Sequence, residues 1–261
     1  MVSMMEVGFA QATAFVGSLM WPMMRIGAML MAMPVFGTRL VSTRVKIITT
    51  FVLSIVVLPL LPPVPEVEAL SLQGLFISVQ QVIIGAAMGF SLQIVFGALM
   101  IAGESIAMGM GLGFASMIDP ANGVNVPVVS QFFIIMGTLI FLALGGHLML
   151  IQLVISSFQS LPIAPTGITR EGFWSIASFG SQMFIGAIWV AIPALISMLV
   201  ITLSMGVMTR AAPQLNIFSV GFPVTMFMGF IILMLVIPGF LPRINQMMLE
   251  AMQLSQRLAG L

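Results

Sequence analysis

Long stretches without a charged residue constrain this chain more than any other feature of its sequence. Five of them cover residues 47–65, 69–103, 120–169, 172–209 and 211–242. A helix needs about 20 apolar residues to cross the hydrocarbon core of a bilayer, and each stretch is close to or above that length. Soluble domains carry about 25% charged residues, whereas this chain carries 6% and is 60% hydrophobic. These values exclude a disordered chain and an ordinary soluble domain, and they predict a polytopic membrane protein.

The apolar stretches predict helices rather than strands. Outer-membrane barrels need short segments in which apolar and polar residues alternate, and these stretches do not alternate. We therefore expect an all-α membrane-type fold of kinked helical hairpins with about six hydrophobic segments. They lie at about 6–33, 44–60, 70–103, 125–158, 173–206 and 215–241. The stretch 120–169 is longer than one span and predicts a span plus a loop, or a bent hairpin.

Prolines and glycines inside the apolar segments predict interrupted, closely packed helices. A kink or break is expected near each internal proline, because proline removes a helical hydrogen bond. These prolines are Pro22, Pro34, Pro193, Pro223 and Pro238. In lipid, a broken helix is tolerated only where protein or a cavity covers it. The pair Gly85-x-x-x-Gly89 is typical of a close helix–helix contact. Both patterns favour helices that pack against protein.

The segment Arg243–Leu258 differs from the apolar segments that precede it. Its apolar residues, from Ile244 to Leu258, recur at helical spacing on one face, while polar residues such as Gln253 lie elsewhere. The pattern predicts an amphipathic helix that rests on a partner or on a membrane surface.

Residue counts exclude several kinds of chemistry. The chain has no cysteine and one histidine, His147, so cysteine-based sites and a histidine-rich metal site are excluded. We expect a packed, hydrogen-bonded role for His147. The carboxylates are scattered without a close pair in an apolar segment, and no GxSxG, HExxH, Walker or kinase pattern occurs. We therefore expect no enzyme, cofactor or metal, and the net charge of +1 predicts no nucleic-acid binding.

The most informative local pattern is ESIAMGMGLGFASMIDPANGVN, at residues 104–125. Its alternating glycines permit positive backbone φ angles, and its Asp-Pro and Asn-Gly pairs signal turns. The connector is loop-like yet largely apolar, whereas exposed loops are normally polar. Two interpretations remain, a re-entrant loop that plugs a pore or a tight connector between helices. The residues concerned are Met108, Gly109, Met110, Gly111, Leu112, Gly113, Phe114, Asp119, Pro120 and Asn122.

Two arginines border or interrupt the apolar segments. Arg25 lies inside the first segment, where a charged side chain costs about 2.5–3.5 kcal/mol at a helix centre. It therefore needs a carboxylate, carbonyl or water partner. Glu104 and Asp119 are candidate carboxylates, and snorkelling to the membrane surface is the alternative. Arg210 begins a polar island, RAAPQLN, that is compatible with a short loop between two segments.

Three sequence motifs are spread over almost the whole chain. The first is Arg25-Ile-Gly-Ala-Met-Leu-Met-Ala-Met-Pro34-Val-Phe-Gly37, followed by Arg44-Val-Lys46. The second is the glycine-rich GMGLGFASMIDP. The third, which is the most specific, is Arg210-Ala-Ala-Pro213-Gln-Leu-Asn216-Ile-Phe-Ser-Val-Gly221-Phe-Pro223. Together with the length and the segment count, these motifs resemble the FliR family of flagellar type III secretion export-gate proteins, whose injectisome relatives are the SctT proteins.

The resemblance implies a place in a larger assembly. FliR-like proteins join FliP-like and FliQ-like subunits in a helical, hetero-oligomeric core that is raised out of the bilayer plane, and a FlhB-like subunit docks on it. The core passes unfolded flagellar export substrates across the bacterial inner membrane at the basal body. The resemblance also implies a single export-gate domain over residues 1–261, with a FliP-like part at about 1–170 and a FliQ-like part at about 171–261.

The same resemblance assigns roles to residues. The central loop, here about Met108–Asn122, is expected to plug the pore. The motif residues outside that loop are expected to serve assembly and structure: Arg25, Pro34, Gly37, Arg210, Pro213, Asn216, Gly221 and Pro223. An injectisome subunit is one alternative. A secondary transporter or small-solute channel is another, although it predicts internal repeats and a polar midplane site, which the sequence lacks.

Overall fold

The computed structural model describes residues 18–38, 41–65, 67–68, 71–112, 127–211 and 221–261. Within these ranges the regular secondary structure is helical and no strand occurs, which confirms the predicted all-α fold. The helices are α1 (described over 18–32), α2 (Thr43–Val57, extended by a 3-10 turn at Leu58–Leu60), α3 (Leu72–Gly109), α4 (Val128–Ala143), α5 (Gly146–Ser160), α6 (Arg170–Ala211) and α7 (Phe222–Leu258).

Four of the described helices are long and apolar enough to cross a membrane. They cover Thr43–Leu60, Leu72–Gly109, Arg170–Ala211 and Phe222–Leu258. Helices α4 and α5 pass the same test together as one broken span, bent by 62°. Five of the six predicted hydrophobic segments therefore have a helical counterpart. The first predicted segment is described only from residue 18, where α1 is found.

The bend between α4 and α5 arises at a pair of glycines. Gly145 has a φ angle of 68°, in the left-handed region that L side chains rarely adopt. Its amide donates to the carbonyl of Leu142 (3.0 Å), which closes the last turn of α4. A side chain at Gly146 would overlap the ring of Phe141. The longest uncharged stretch thus contains two helices, as its length predicted.

The prolines interrupt the helices less than predicted. Helix α6 runs through Pro193, and α7 runs through Pro238 and Pro242. No helix breaks at Pro193 or Pro238, because loss of one hydrogen bond leaves the neighbouring turns of a long helix intact. The alternative expectation, a kink at these positions, stays a prediction. Pro34 follows the end of α1, and Pro223 lies in the first turn of α7, where a missing amide hydrogen costs little.

Two compact units divide the chain. The first comprises the described parts of Met1–Ile94, Phe141–Phe179 and Leu249–Leu261, and the second those of Val95–Ile140 and Gly180–Met248. Each unit draws on separate stretches of sequence. The expected division into a FliP-like part and a FliQ-like part stays a prediction.

In the first unit, α1 packs directly on the glycines of α3. A methyl group at Gly85 would overlap the carbonyl oxygen of Arg25. A methyl group at Gly89 would lie 2.6 Å from the carbonyl oxygen of Met29 and 2.8 Å from Cβ of Ala32. The predicted close contact of the Gly85–Gly89 pair is therefore confirmed, since only glycine lets the two backbones approach this far.

The C-terminal end of α7 packs inside the first unit. Leu254 and Leu258 are buried against Ala87 of α3. The hydroxyl of Ser255 donates to the carbonyl of Met88 (3.2 Å), and the hydroxyl of Ser160 donates to the carbonyl of Ala259. The predicted amphipathic helix thus rests on the protein itself along this part of its length.

The second unit is built around another close helix contact. A methyl group at Gly103 of α3 would lie 2.5 Å from Cα of Ser130 on α4. The hydroxyl of Ser130 donates to the carbonyl of Met100 (3.1 Å). The rings of Phe133 and Phe240 lie 5.2 Å apart between their centroids, so α7 joins the same core.

Candidate functional site

Arg25 is fully buried in the first unit, with 0% of its surface exposed. Its Nε donates to Oε1 of Gln81 on α3 (2.8 Å). Its Nη1 donates to the carbonyl (2.9 Å) and the hydroxyl (3.1 Å) of Ser157, and its Nη2 donates to the carbonyl of Leu161 (2.8 Å). The guanidinium carbon also lies 4.2 Å from the ring centroid of Phe158. This one side chain therefore connects α1, α3 and the end of α5.

The acceptors around Arg25 are neutral oxygens, and most belong to a helix C-terminus. Ser157 lies in the last turn of α5, and Leu161 is its C-cap residue. The last carbonyls of a helix lack intrahelical partners and carry about half a negative charge. The C-terminus of α5 thus stabilises the buried cation, and the aromatic face of Phe158 adds a cation–π contact.

The observed partners of Arg25 agree in part with those expected from the sequence. The expected carbonyl partner is confirmed. Snorkelling is wrong, because the side chain is closed off from the surface. Glu104 is exposed in the second unit, and Asp119 lies outside the described residues. Gln81 was missed by the sequence analysis, although two adjacent glutamines in an apolar helix are a detectable signal. The backbone carbonyls of Ser157 and Leu161 could not be identified from the sequence, because every residue has a carbonyl.

The turn between α1 and α2 contains Pro34 and Gly37. Pro34 is buried and Gly37 is exposed. The Gly37 amide donates to the carbonyl of Met33 (2.7 Å). A methyl group at Gly37 would lie 2.7 Å from that same oxygen, so a larger residue would push the chain off this turn. Lys46 Nζ donates to the carbonyl of Thr38 (2.9 Å) and ties α2 to the turn.

The first residues of the glycine-rich connector end helix α3. Met108 and Gly109 are in its last turn, and Gly111 has a φ angle of 81°. The Gly111 amide donates to the carbonyl of Met108 (3.0 Å), and the Leu112 amide donates to the carbonyl of Ala107 (2.9 Å). These two bonds around a left-handed glycine form a Schellman cap. Gly111 thus fixes the point where the chain leaves the helix.

This cap is held inside the second unit. Met110 is fully buried, and its side chain lies against Gly229 of α7. A Cβ at Gly111 would lie 3.1 Å from the ring of Phe222. The remaining residues of the connector lie outside the described residues: Gly113, Phe114, Asp119, Pro120 and Asn122. Both interpretations of that part therefore stay open, while its starting point is a capped helix end.

The third motif borders α6 and α7. Arg210 is exposed in the last turn of α6, where a cation interacts favourably with the helix dipole. Gly221 is buried immediately before α7, and Pro223 is exposed in the first turn of α7. Pro213 and Asn216 lie outside the described residues.

The metal-ligating types of side chain are scattered over the described parts of the chain. Among the described residues, no group of three or more His, Cys, Asp or Glu side chains could hold a metal ion. Nδ1 of His147 is buried without a hydrogen-bond partner. The expected hydrogen bond of His147 is therefore not observed at this atom.

Comparisons with known proteins show what this chain is similar to. Residues 16–251 match the family model described as bacterial export proteins, family 1. The flagellar biosynthetic protein FliR of Pectobacterium carotovorum is 38% identical over 240 residues, which are 92% of this chain and 92% of that protein. FliR of Escherichia coli is 34% identical over 239 residues (92% and 91%). FliR of Bacillus subtilis is 30% identical over 212 residues (80% and 82%).

Replacing Arg25 by alanine should lower the free energy of unfolding by about 2–4 kcal/mol, because four oxygens lose their donor and a cavity forms. Arg25→Lys should recover only part of this loss, since an ammonium group cannot reach all four oxygens on three residues as a guanidinium does. The measurement is denaturant unfolding of the purified chain in detergent. Arg44→Ala, at an exposed position on α2, is the control and should change stability by about 0.5 kcal/mol or less. Equal effects of the Arg25 and Arg44 variants would contradict the assignment.

Replacing Gly111 by alanine should fray the end of α3, because a left-handed conformation costs an L residue about 1–2 kcal/mol. Amide hydrogen exchange at Leu112 should accelerate by about 5- to 30-fold. Gly109→Ala is the matched control two residues away. An added Cβ there meets its nearest atom at 3.5 Å, so exchange should stay the same or slow. Unchanged exchange in the Gly111 variant would show that the cap does not depend on glycine.

Proposed function

The chain belongs to the family of bacterial export proteins, family 1, and from that premise we propose that it is a structural and gating subunit of the flagellar type III protein export channel. The observation that carries the proposal is the similarity to proteins named flagellar biosynthetic protein FliR over about nine-tenths of both chains. Because the alignments cover about nine-tenths of both chains, the similarity favours a role like that of the relatives rather than one domain shared with an otherwise different protein. The flagellar names of these relatives favour a flagellar over an injectisome system.

The surface of the helices supports a proposed location. In this proposal the chain is a multi-pass protein of the bacterial inner membrane, at the flagellar basal body. Helix α2 supports a non-aqueous environment, because it buries Thr50 and Ser54 and exposes Ile48, Val52 and Val56. Water would favour the opposite arrangement, whereas lipid or neighbouring subunits favour small polar residues inside a helix contact.

The partners proposed are FliP-like and FliQ-like subunits and a FlhB-like subunit. Apolar surface is exposed on α2, α6 and α7, and large exposed apolar patches mark protein or membrane contacts. We assign Arg210 and Asn216 to assembly rather than to gating, because Arg210 is an exposed cation at the end of a long apolar helix. Arg25, Pro34, Gly37, Gly221 and Pro223 would maintain the shape of the subunit that its partners recognise.

The gating role is assigned to the glycine-rich connector. In the proposal, residues 108–122 start at the cap of α3 and continue as an apolar loop that closes the pore. The Gly111 cap supports this, because a loop that seals a channel needs a fixed anchor at its base. Unfolded export substrates would pass when the loop moves aside. The subunit itself is proposed to act without catalysis, with the energy for transport supplied elsewhere in the apparatus.

Replacing residues 113–122 by a glycine-serine chain of equal length should leave the export complex assembled but leaky to ions, because the apolar seal is removed and the cap remains. Ion leakage is measured by a membrane-potential dye in cells, and assembly by co-purification of the other subunits. The control is a glycine-serine replacement of the proline-rich connector, residues 62–65. Cells that carry this control variant should not leak ions. An ion barrier as tight as in the unaltered protein would rule out the plug, whereas loss of the complex would assign the connector to assembly.

A further inference from the structure

Two prolines, Pro238 and Pro242, lie four residues apart inside α7, and the helix continues through both. In an α-helix each amide N–H donates to the carbonyl four residues earlier, and proline has no N–H to donate. Pro238 therefore leaves the carbonyl of Met234 without its regular donor, and Pro242 does the same to the carbonyl of Pro238. Helix α7 thus contains two successive carbonyl groups whose helical hydrogen bonds are missing.

The two carbonyls belong to the outward face of α7. Met234 is 76% exposed, and Pro238 and Pro242 are exposed as well. Residues four apart lie one above the other on the same side of a helix. Gly239 is exposed beside them, and a Cβ added there would meet no atom within 4 Å. The missing side chain leaves open space in front of this stretch of backbone.

The neighbouring side chains of α7 do not replace the missing donors. Residues 231–242 include no side chain that can donate a hydrogen bond. The next residue, Arg243, is held elsewhere. Its Nη1 donates to Oε1 of Gln246 (2.9 Å), and its guanidinium carbon lies 5.7 Å from the ring centroid of Trp189. Its Nε is buried without a hydrogen-bond partner and so bonds neither carbonyl.

The surroundings of the two carbonyls restrict what can cover them. The large exposed side chains nearby are apolar, namely Ile231, Leu235 and Leu241, and such a surface favours an apolar partner. Hydrocarbon cannot donate a hydrogen bond, and a carbonyl without a donor is costly in apolar surroundings. The face therefore requires a partner that is largely apolar and also supplies hydrogen-bond donors, which a lipid tail does not.

The first unit shows which donor suits free helix carbonyls. There the guanidinium of Arg25 donates to the carbonyls of Ser157 and Leu161 at the end of α5. Hydrogen bonds from a cation are about twice as strong as those between neutral groups. A basic side chain is therefore the donor that matches a pair of unbonded carbonyls within an apolar face.

We propose that the face of α7 around Met234, Pro238 and Gly239 is the docking surface for an apolar helix of a neighbouring subunit, and that an arginine or lysine of that helix donates to the carbonyls of Met234 and Pro238. Gly239 lets the partner approach the backbone closely. The inference rests on the proposed function, because the partner is another subunit of the export complex, and it does not depend on the plug.

The test removes the two acceptors without adding bulk. Pro238→Ala combined with Pro242→Ala restores both amide donors, so the helix itself takes up both carbonyls. Because proline is unfavourable inside a helix, the purified chain should resist denaturant as well as the unaltered chain or better. In the complex purified from native membranes, retention of the neighbouring subunit after a detergent wash should nevertheless fall about tenfold. Pro63→Ala, at an exposed position outside the helices, is the control and should change neither quantity.

A second variant keeps both prolines and blocks access to them. Gly239→Leu fills space that is open in the isolated chain, so the chain should fold normally while the complex loses the neighbouring subunit. A photoreactive benzoyl-phenylalanine at exposed Leu235 should then capture a peptide of another subunit that contains arginine or lysine. The same probe at buried Leu233 should capture only this chain.

Two results would overturn the proposal. Normal subunit retention by the double proline variant would show that the carbonyls bind no partner, even if Gly239→Leu weakens the complex. Capture at Leu235 of lipid, of a second copy of this chain or of a segment without a basic residue would assign the face to another contact. Failure of the proposed function is distinguishable, because the unaltered particle would then contain no other subunit.

Discussion

The buried guanidinium of Arg25 determines how the helices of the first unit meet. A charge in an apolar interior must be matched by oxygens on every accessible side, and here these oxygens are neutral. Helix α5 has to end beside α1 so that its last carbonyls can serve as acceptors. Helix α3 has to bring Gln81 to the same place, which requires glycine at position 85 where the two backbones touch. One side chain thus relates the positions of three helices.

The small number of charged residues also explains the surfaces of the molecule. Polar groups are used inside helix contacts, as Thr50 and Ser54 on α2 and Ser130 on α4 show. Apolar side chains are left facing outward on α2, α6 and α7. This inverted arrangement is stable only among lipids or other apolar proteins. It accords with membership in a family of export proteins.

Charge placement predicted the fold well, because gaps between charges set where a membrane helix can lie. It located α2, α3, α6 and α7 and the bent pair α4–α5. Proline was a weaker guide, since α6 and α7 continue through Pro193 and Pro238. The partners of Arg25 could not be derived, because backbone carbonyls have no sequence signature. The glycine pattern allowed a positive φ angle, which Gly111 adopts, but it could not show that this residue caps a helix.

The central claim, that this chain is a subunit of a flagellar export complex, is tested most directly by the mass and composition of the particle that it forms. The complex is purified from native membranes in mild detergent and its subunits are counted by native mass spectrometry. The account predicts a large particle that contains one copy of this chain and several copies of two other small hydrophobic proteins. A lone monomer or a homodimer would contradict it and would favour a transporter instead.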